Sequence, residues 1–436
     1  MREVEVLYGR EGATLRLPGD VHLLLGRDPP PLADPGSAVR SALSRPIGSP
    51  SLAALVEARR PARVAITISD ITRPVPNREF LPALLGVLNG AGVPDHAVTV
   101  IIGTGMHRPS TASERESLLG RELLGRLAVV DHRASDPAAL VEVSVDPPVR
   151  VNRQFVEADF RIATGYIEPH FMAGFSGGRK GVCPALTDLC TIERFHSHET
   201  LAHPQARSGV LQGNPCHEIS LGLARRVGVD FLFNVALTRE RCLAGIYCGE
   251  LEQAHVTGCR EVSQWTTAHP DGTYDLVVTS GGGYPLDLTF YQSVKGQVEA
   301  LPALGGHSTL LQLTRCEEGL GSPAYAELLM RWGRRWREFL DHLACNPTVT
   351  ELDQWELQMQ CRVLARIGAE RLWLASDGLT PQIQRRIAVT RVPGQGDAAT
   401  RAQRSVDRFL AEHPRARVAA IPDGPYTMLA RQASEV

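Results

Sequence analysis

Three consecutive stretches, RVAITI at residues 63–68, REFLPALLGVLNGAG at 78–92 and AVTVIIG at 97–103, decide how this chain folds. The first is a short apolar run rich in β-branched residues, the second repeats its apolar positions at helical spacing, and the third returns to strand character. A strand, a helix and a strand in that order make a β-α-β unit, whose strands lie parallel. The alternation continues outward through RESLLGRELLGR (115–126), LAVVDH (127–132) and FRIATG (160–165). The expected fold class is therefore α/β, with mostly parallel sheets flanked by helices.

After HPDGT (269–273) a second unit starts: YDLVVTSGGGYP reads as a buried strand entering a glycine-rich turn, and LTFYQSVKGQVEAL as the following helix. RLWLAS (371–376) reads as a later strand of that unit, and RVPGQGDAATRAQ (391–403) as a connection leading outward. The pattern predicts two domains: residues 1–270, completed by about 395–436, and residues 271–394. Ligands of parallel sheets bind outside the carboxyl ends of the strands, and the active site is expected in the cleft between the two domains.

Composition agrees with this plan. A chain of 436 residues exceeds what one hydrophobic core serves. With 46 basic and 48 acidic residues the net charge is -2, which provides no field for nucleic acid or an anionic membrane. No stretch approaches the roughly 20 apolar residues of a membrane helix, and the opening MREVEVLYGREGATLRL has no apolar signal core. The nine cysteines include no C-x-x-C pair, so reduced thiols and a cytoplasmic location are expected.

Three segments that follow strands carry reactive side chains: SDITRPVPN (69–77), GTGMHRP (103–109) and GYIEPHFMAGFSGGRKG (165–181). Arg73 suits a carboxylate or phosphate, and reads equally as half of a surface ion pair. Asp70 suits a site and equally a turn cap. His107 and His170 stand after separate strands, as two opposed bases of a racemase would, although a lone histidine is more often structural. GFSGGRK resembles a phosphate loop, but Arg179 stands where glycine is required and Gly181 where Ser or Thr is required. What remains is a glycine-rich turn that delivers Lys180. In HSHETLAHP (196–204), a helix would turn His196 and His198 to different faces, so the two do not chelate one ion. In the second unit Tyr291 and Gln292 fall on the side of Lys295, while Trp355 in DQWELQ reads as core packing.

Taken together and in order, these segments resemble the nickel-dependent lactate racemase family. The likeness runs through SDITRPVPN, GTGMHRP, GYIEPHFMAGFSGGRKG, His196, GNPCHE (213–218), GGYPLDLTFYQSVK (282–295), DQWELQ (353–358) and the terminal PDGPYTM. It implies a 2-hydroxy acid racemase or epimerase that works by hydride transfer through a 2-keto acid. The implied cofactor is a nickel-pincer nucleotide, a pyridinium mononucleotide with two sulfur-bearing arms. Lys180 would carry it covalently, with Asp70 beside it, and His196 would ligate nickel. His107 and His170 would be the alternating acid and base, and Arg73, Tyr291, Gln292, Lys295 and Trp355 would line the substrate pocket. The implied partners are a small 2-hydroxy acid and separate cofactor-making enzymes. One departure is Cys183-Pro184-Ala185, where Leu-Pro-Gly is expected. Two other readings are a nicotinamide-dependent 2-hydroxy acid dehydrogenase and a non-catalytic nickel- or nucleotide-binding protein. The first is weakened by Arg108 at the last glycine position of GTGMHR, the second by the presence of both histidines.

Overall fold

The computed structural model describes residues 1–430. The chain forms two compact units.

The first unit comprises Asp28–His196 and His203–Trp265. Its six-stranded sheet runs, edge to edge, Leu243–Gly249, Phe231–Leu237, Phe160–Tyr166, Val64–Ser69, Val98–Gly103 and Ala128–Asp131. All neighbours are parallel except the Phe231–Leu237 and Leu243–Gly249 pair. The unbroken apolar run of Val64–Ser69 has a simple cause: successive side chains point to opposite faces, and both faces are covered. Val64, Ile66 and Ile68 join a core with Phe80, Leu84 and Leu85 of the helix Asn77–Gly90. Ala65 joins a second core with Leu221, Ala224 and Ala254 on the opposite face. The chain leaves Val64–Ser69 first to one side of the sheet and later to the other. The reversal lies between Val64–Ser69 and Phe160–Tyr166, and the carboxyl ends at such a point open into a crevice.

The second unit comprises Met1–Arg27, Ser197–Ala202 and the chain from Thr266 onward. Its sheet is parallel throughout, in the order Thr390–Arg391, Leu372–Ala375, Leu304–Leu313, Tyr274–Ser280, Val418–Ile421 and His22–Leu23. Its reversal falls between Tyr274–Ser280 and Val418–Ile421. An N-terminal hairpin, Arg2–Val6 with Ala13–Leu17, packs Val4, Val6, Leu15 and Leu17 into the same core as Leu276 and Val278.

Two expected boundaries change. The opening residues, expected in the first domain, belong to the second unit through the hairpin and the His22–Leu23 strand. The segment from about 395, expected to complete the first domain, also stays in the second unit, because Val418–Ile421 pairs with Tyr274–Ser280 in the register Leu276↔Val418. Its last six residues lie outside the described ones. His196 and His198 do not share a helix: Leu189–Phe195 ends with His196 as its C-cap, and His198–Ala202 begins anew.

Candidate active site

The carboxyl ends of three neighbouring strands of the first unit collect the polar residues singled out above. Asp70 directly follows Val64–Ser69 and is buried. One of its oxygens, Oδ1, accepts from the Thr72 amide at 3.2 Å and the Thr72 hydroxyl at 2.6 Å. The other, Oδ2, lies 2.7 Å from Nδ1 of His107. Burial alone would raise the Asp70 pKa, but the hydrogen bonds from His107 and Thr72 bring it below the ordinary carboxylate value. Asp70 is therefore ionised and His107 donates from Nδ1, which leaves Nε2 with the lone pair. The His107 side chain is 49% exposed.

Arg73 reaches across the sheet reversal to Glu168, with Nη1 3.0 Å from Oε1. Glu168 follows Phe160–Tyr166, and its amide donates to Ser176 Oγ at 3.1 Å. His170 presents Nδ1 to the amides of Met172 and Ala173, at 3.3 and 3.2 Å, and Nε2 to the Lys180 amine at 2.8 Å. With Nδ1 accepting, the ring proton of the neutral imidazole sits on Nε2, the nitrogen that faces the Lys180 amine.

The turn that delivers Lys180 requires its glycines. Gly174 has φ +77°, and a Cβ there would lie 2.1 Å from the Val210 carbonyl oxygen; Gly178 has φ +56°, with the His255 ring 2.5 Å away. Arg179 points inward and is 1% exposed. Its guanidinium donates to the Ala173 carbonyl at 2.6 Å and faces His255 Nε2 at 3.0 Å. Its partners are carbonyl oxygens and a ring nitrogen rather than a carboxylate, so burial lowers its pKa to about 10. The arginine that breaks the phosphate-loop pattern is thus an internal clamp on the lysine turn.

His196 caps its helix and donates from Nδ1 to the Ile192 carbonyl at 2.8 Å. The tautomer is fixed with the lone pair on Nε2, the arrangement common to metal-bound imidazoles. Burial lowers its pKa to about 3, so the ring is neutral. Among the described residues no group of three His, Cys, Asp or Glu side chains converges as a metal cage. A metal at His196 would need its other donors from a cofactor. His198 starts the next helix, which counts with the second unit.

In the second unit, Tyr291, Gln292 and Lys295 lie on the helix Phe290–Glu299, where the Lys295 ammonium donates to Gln292 Oε1 at 2.5 Å across one turn. Trp355 is buried on the helix Gln354–Ile367, and its Nε1 donates to the Tyr291 hydroxyl at 2.7 Å. It therefore holds a phenol in place in addition to packing. The glycine turn after Tyr274–Ser280 occupies the position of a dinucleotide site, but the N-terminal hairpin covers it. Gly9 N donates to Asp287 Oδ2 at 2.8 Å, Tyr284 N donates to the Gly9 carbonyl at 2.8 Å, and the Arg10 guanidinium stacks on Tyr284. That geometry disfavours the nicotinamide reading.

Comparison with known proteins agrees over most of the chain. Residues 8–209 match the lactate racemase N-terminal domain and residues 270–428 the lactate racemase C-terminal domain. The lactate racemase of Lactiplantibacillus plantarum is 32% identical over 390 residues, 88% of this chain and 89% of that protein. The chain belongs to the lactate racemase family. The lactate racemase of Thermoanaerobacterium thermosaccharolyticum is 31% identical over 393 residues, 88% of each chain. Its apoprotein structure superposes with a TM-score of 0.88 at 29% identity, covering 99% of this chain and 100% of that one. A Thermotoga maritima protein, with a TM-score of 0.65 at 17% identity over 93% of this chain and 100% of its own, shares the fold. As a member of this family the chain is an isomerase, a racemase.

Sequence reading passed over Glu168 and Arg179. Glu168 stood inside the quoted GYIEPH, and its signal was an acid flanked by a proline just past a strand end. Arg179 was noted only as a mismatch to a motif.

Proposed function

We propose that this racemase inverts a small 2-hydroxy acid, lactate or a near relative, using a nickel-pincer nucleotide attached to Lys180 and ligated through His196. What supports the reading is the arrangement of His107 and His170 after the two strands that flank Val64–Ser69, with opposite proton settings. The Asp70-oriented ring has its lone pair on Nε2 and the other its proton on Nε2. The Lys180 amine, delivered by its glycine turn beside His170, and the fixed lone pair of His196 suit the tether and a soft-donor nickel site. When bound, that group supplies the reversible hydride acceptor that interconverts the 2-hydroxy acid and the 2-keto acid.

The chain's own residues handle charge and protons. In one direction His107 Nε2 takes the substrate hydroxyl proton, and His170 Nε2 returns a proton to the keto oxygen once it faces the other way. In the reverse direction the roles exchange. Arg73, held by Glu168, and Lys295, held by Gln292, are the partners for the substrate's carboxylate and carbonyl. Tyr291 and Trp355 shape the pocket, and Asp70 orients His107 close to the cofactor.

Separate enzymes are expected to make the cofactor, and the cytoplasm is the expected site of action. Among the described residues no helix is long and apolar enough to cross a membrane. The test is intact mass and metal analysis after co-production with cofactor-making enzymes: an adduct on Lys180 and about one nickel per chain are expected. A substrate deuterated at carbon 2 should return inverted with its label kept. Unmodified Lys180, or label lost to solvent, would overturn the proposal.

A further inference from the structure

The helix Phe290–Glu299 carries three of the proposed substrate residues on one side and, on another, a row of polar groups to which the reaction assigns no task. Ser293, Gly296 and Gln297 are three and four residues apart, so they share one face, and all three are buried. They meet the carboxyl ends of Tyr274–Ser280 and Leu304–Leu313. A Cβ on Gly296 would lie 2.0 Å from the Ser280 carbonyl oxygen, so the helix backbone rests against the strand end with no room for a side chain. Thr279 Oγ1 donates to the Gly296 carbonyl at 3.4 Å, and Ser293 Oγ lies 2.5 Å from Thr314 Oγ1.

Gln312, on Leu304–Leu313 and 0% exposed, joins these contacts. Its Oε1 accepts from Gln297 Nε2 at 2.7 Å, and its Nε2 donates to the Ser293 carbonyl at 2.6 Å. One amide thus grips the helix at two points a turn apart. Among the described residues Gln297 Oε1 has no partner, which leaves Gln312 as that side chain's one tie.

Phe290, Val294 and Val298 bury a neighbouring apolar stripe of the same helix. Apolar contact is non-directional, so such a stripe alone lets a helix slide or turn at little cost. Hydrogen bonds weaken steeply with distance and angle, and a buried amide with an unmade bond is costly. Leu or Met could fill the volume of Gln312. What the amide adds is a single height and rotation for the helix.

We propose that Gln312 is a positioning residue of the racemase reaction: acting through Ser293 and Gln297, it sets where the helix presents Tyr291, Gln292 and Lys295. This rests on reading those three as substrate residues. A helix shift of about 1 Å would misplace all three together, and a displacement of that size can cost roughly 100-fold at reacting groups. These residues bind substrate in ground and transition state alike, so the loss falls on KM.

The test is racemisation of D- and L-lactate by cofactor-loaded enzyme, with rates normalised to the Lys180 adduct and nickel content. Gln312→Leu should raise KM about tenfold for both enantiomers, with kcat within about threefold of wild type and adduct and nickel unchanged. Gln312→Glu adds a pH profile that a merely structural role would not produce. As a neutral acid the introduced carboxyl donates to the Ser293 carbonyl and accepts from Gln297, as the amide did; ionised, it can only accept. Burial raises its pKa, so KM relative to wild type should be near one at low pH and climb as pH rises through that pKa. Val406→Ala, in the core shared with the N-terminal hairpin, should lower Tm and keep the wild-type KM.

If Lys295→Gln keeps the wild-type KM, the substrate reading of the helix fails and this inference with it. If Lys295→Gln raises KM but Gln312→Leu lowers Tm and leaves KM within about twofold, Gln312 supports only the fold, the inference is refuted and the role of Lys295 stands. A rise in KM for Val406→Ala as large as that for Gln312→Leu would refute it as well, as a general effect of lost stability. Should Gln312→Leu not fold, Gln312→Glu decides: a KM ratio to wild type that is constant from about pH 6 to about pH 9 is the refuting result.

Discussion

Asp70→Asn isolates one hydrogen bond on which the proposed chemistry depends. Asparagine has the shape of aspartate, and its carbonyl oxygen can still accept from Thr72 N and Oγ1, now at 3.2 and 2.6 Å. The atom that faces His107 Nδ1 at 2.7 Å becomes an amide donor. The imidazole must then accept at Nδ1 and carry its proton on Nε2, the wrong tautomer for taking a hydroxyl proton. A hydrogen bond to a charged group contributes about 1.5–3 kcal/mol, which corresponds to roughly 10- to 150-fold in rate. Loss of the orienting aspartate in a buried Ser-His-Asp triad costs about 10⁴ in kcat. His107 is half exposed, so water restores part of the correct tautomer, and we expect about 100-fold on kcat with KM changed less than about threefold. The enantiomers are equal in energy, so kcat/KM must fall equally in both directions. The assay follows each enantiomer by polarimetry, with rates normalised to the Lys180 adduct and nickel content. Full adduct with kcat within threefold of wild type would refute the orienting role. Loss of the adduct would instead assign Asp70 to the cofactor.

His196→Ala should lose most of its nickel and essentially all activity, whereas His198→Ala should keep both within about twofold; equal loss, measured by metal analysis of the two variants, would show that the choice of histidine is wrong. Glu114 accepts the Arg108 guanidinium at 2.6 and 2.8 Å and the Thr111 amide at 2.7 Å, and the Arg108 bonds lead in lowering its pKa to about 2. A lowered folded-state pKa contributes stability above the unfolded value near 4.5 and loses it as pH falls through about 2. Arg108 is 65% exposed, so solvent screening reduces the contribution to about 1 kcal/mol. The Tm of Glu114→Gln should therefore lie a few degrees below wild type at pH 7 and converge on it toward pH 2. A gap that does not change with pH would contradict the assignment.

Local pattern was enough to read the α/β class, the strands Val64–Ser69, Val98–Gly103 and Leu372–Ala375, and the placement of Asp70, His107 and His170 just past strand ends. Each depends on neighbours within about one element, where side-chain period and turn chemistry decide the outcome. The same is true of the glycine turn at Lys180, whose positive φ angles require residues without a Cβ. Partner choice between distant segments was beyond that reach. Val418–Ile421 is buried on both faces and would complete either sheet by pattern alone; its backbone groups find their partners on Tyr274–Ser280 and His22–Leu23. The N-terminal strands joined the second unit for the same reason. Proton placement also waited for the tertiary structure. The sequence by itself determined which imidazoles are present, but which nitrogen of each holds the proton follows from Asp70, the Met172 and Ala173 amides, and the Ile192 carbonyl. Only folding brings the Asp70 donor-acceptor pair together across 37 residues, and only burial turns Arg179 from an ordinary charged residue into a group whose charge must be answered from within the protein.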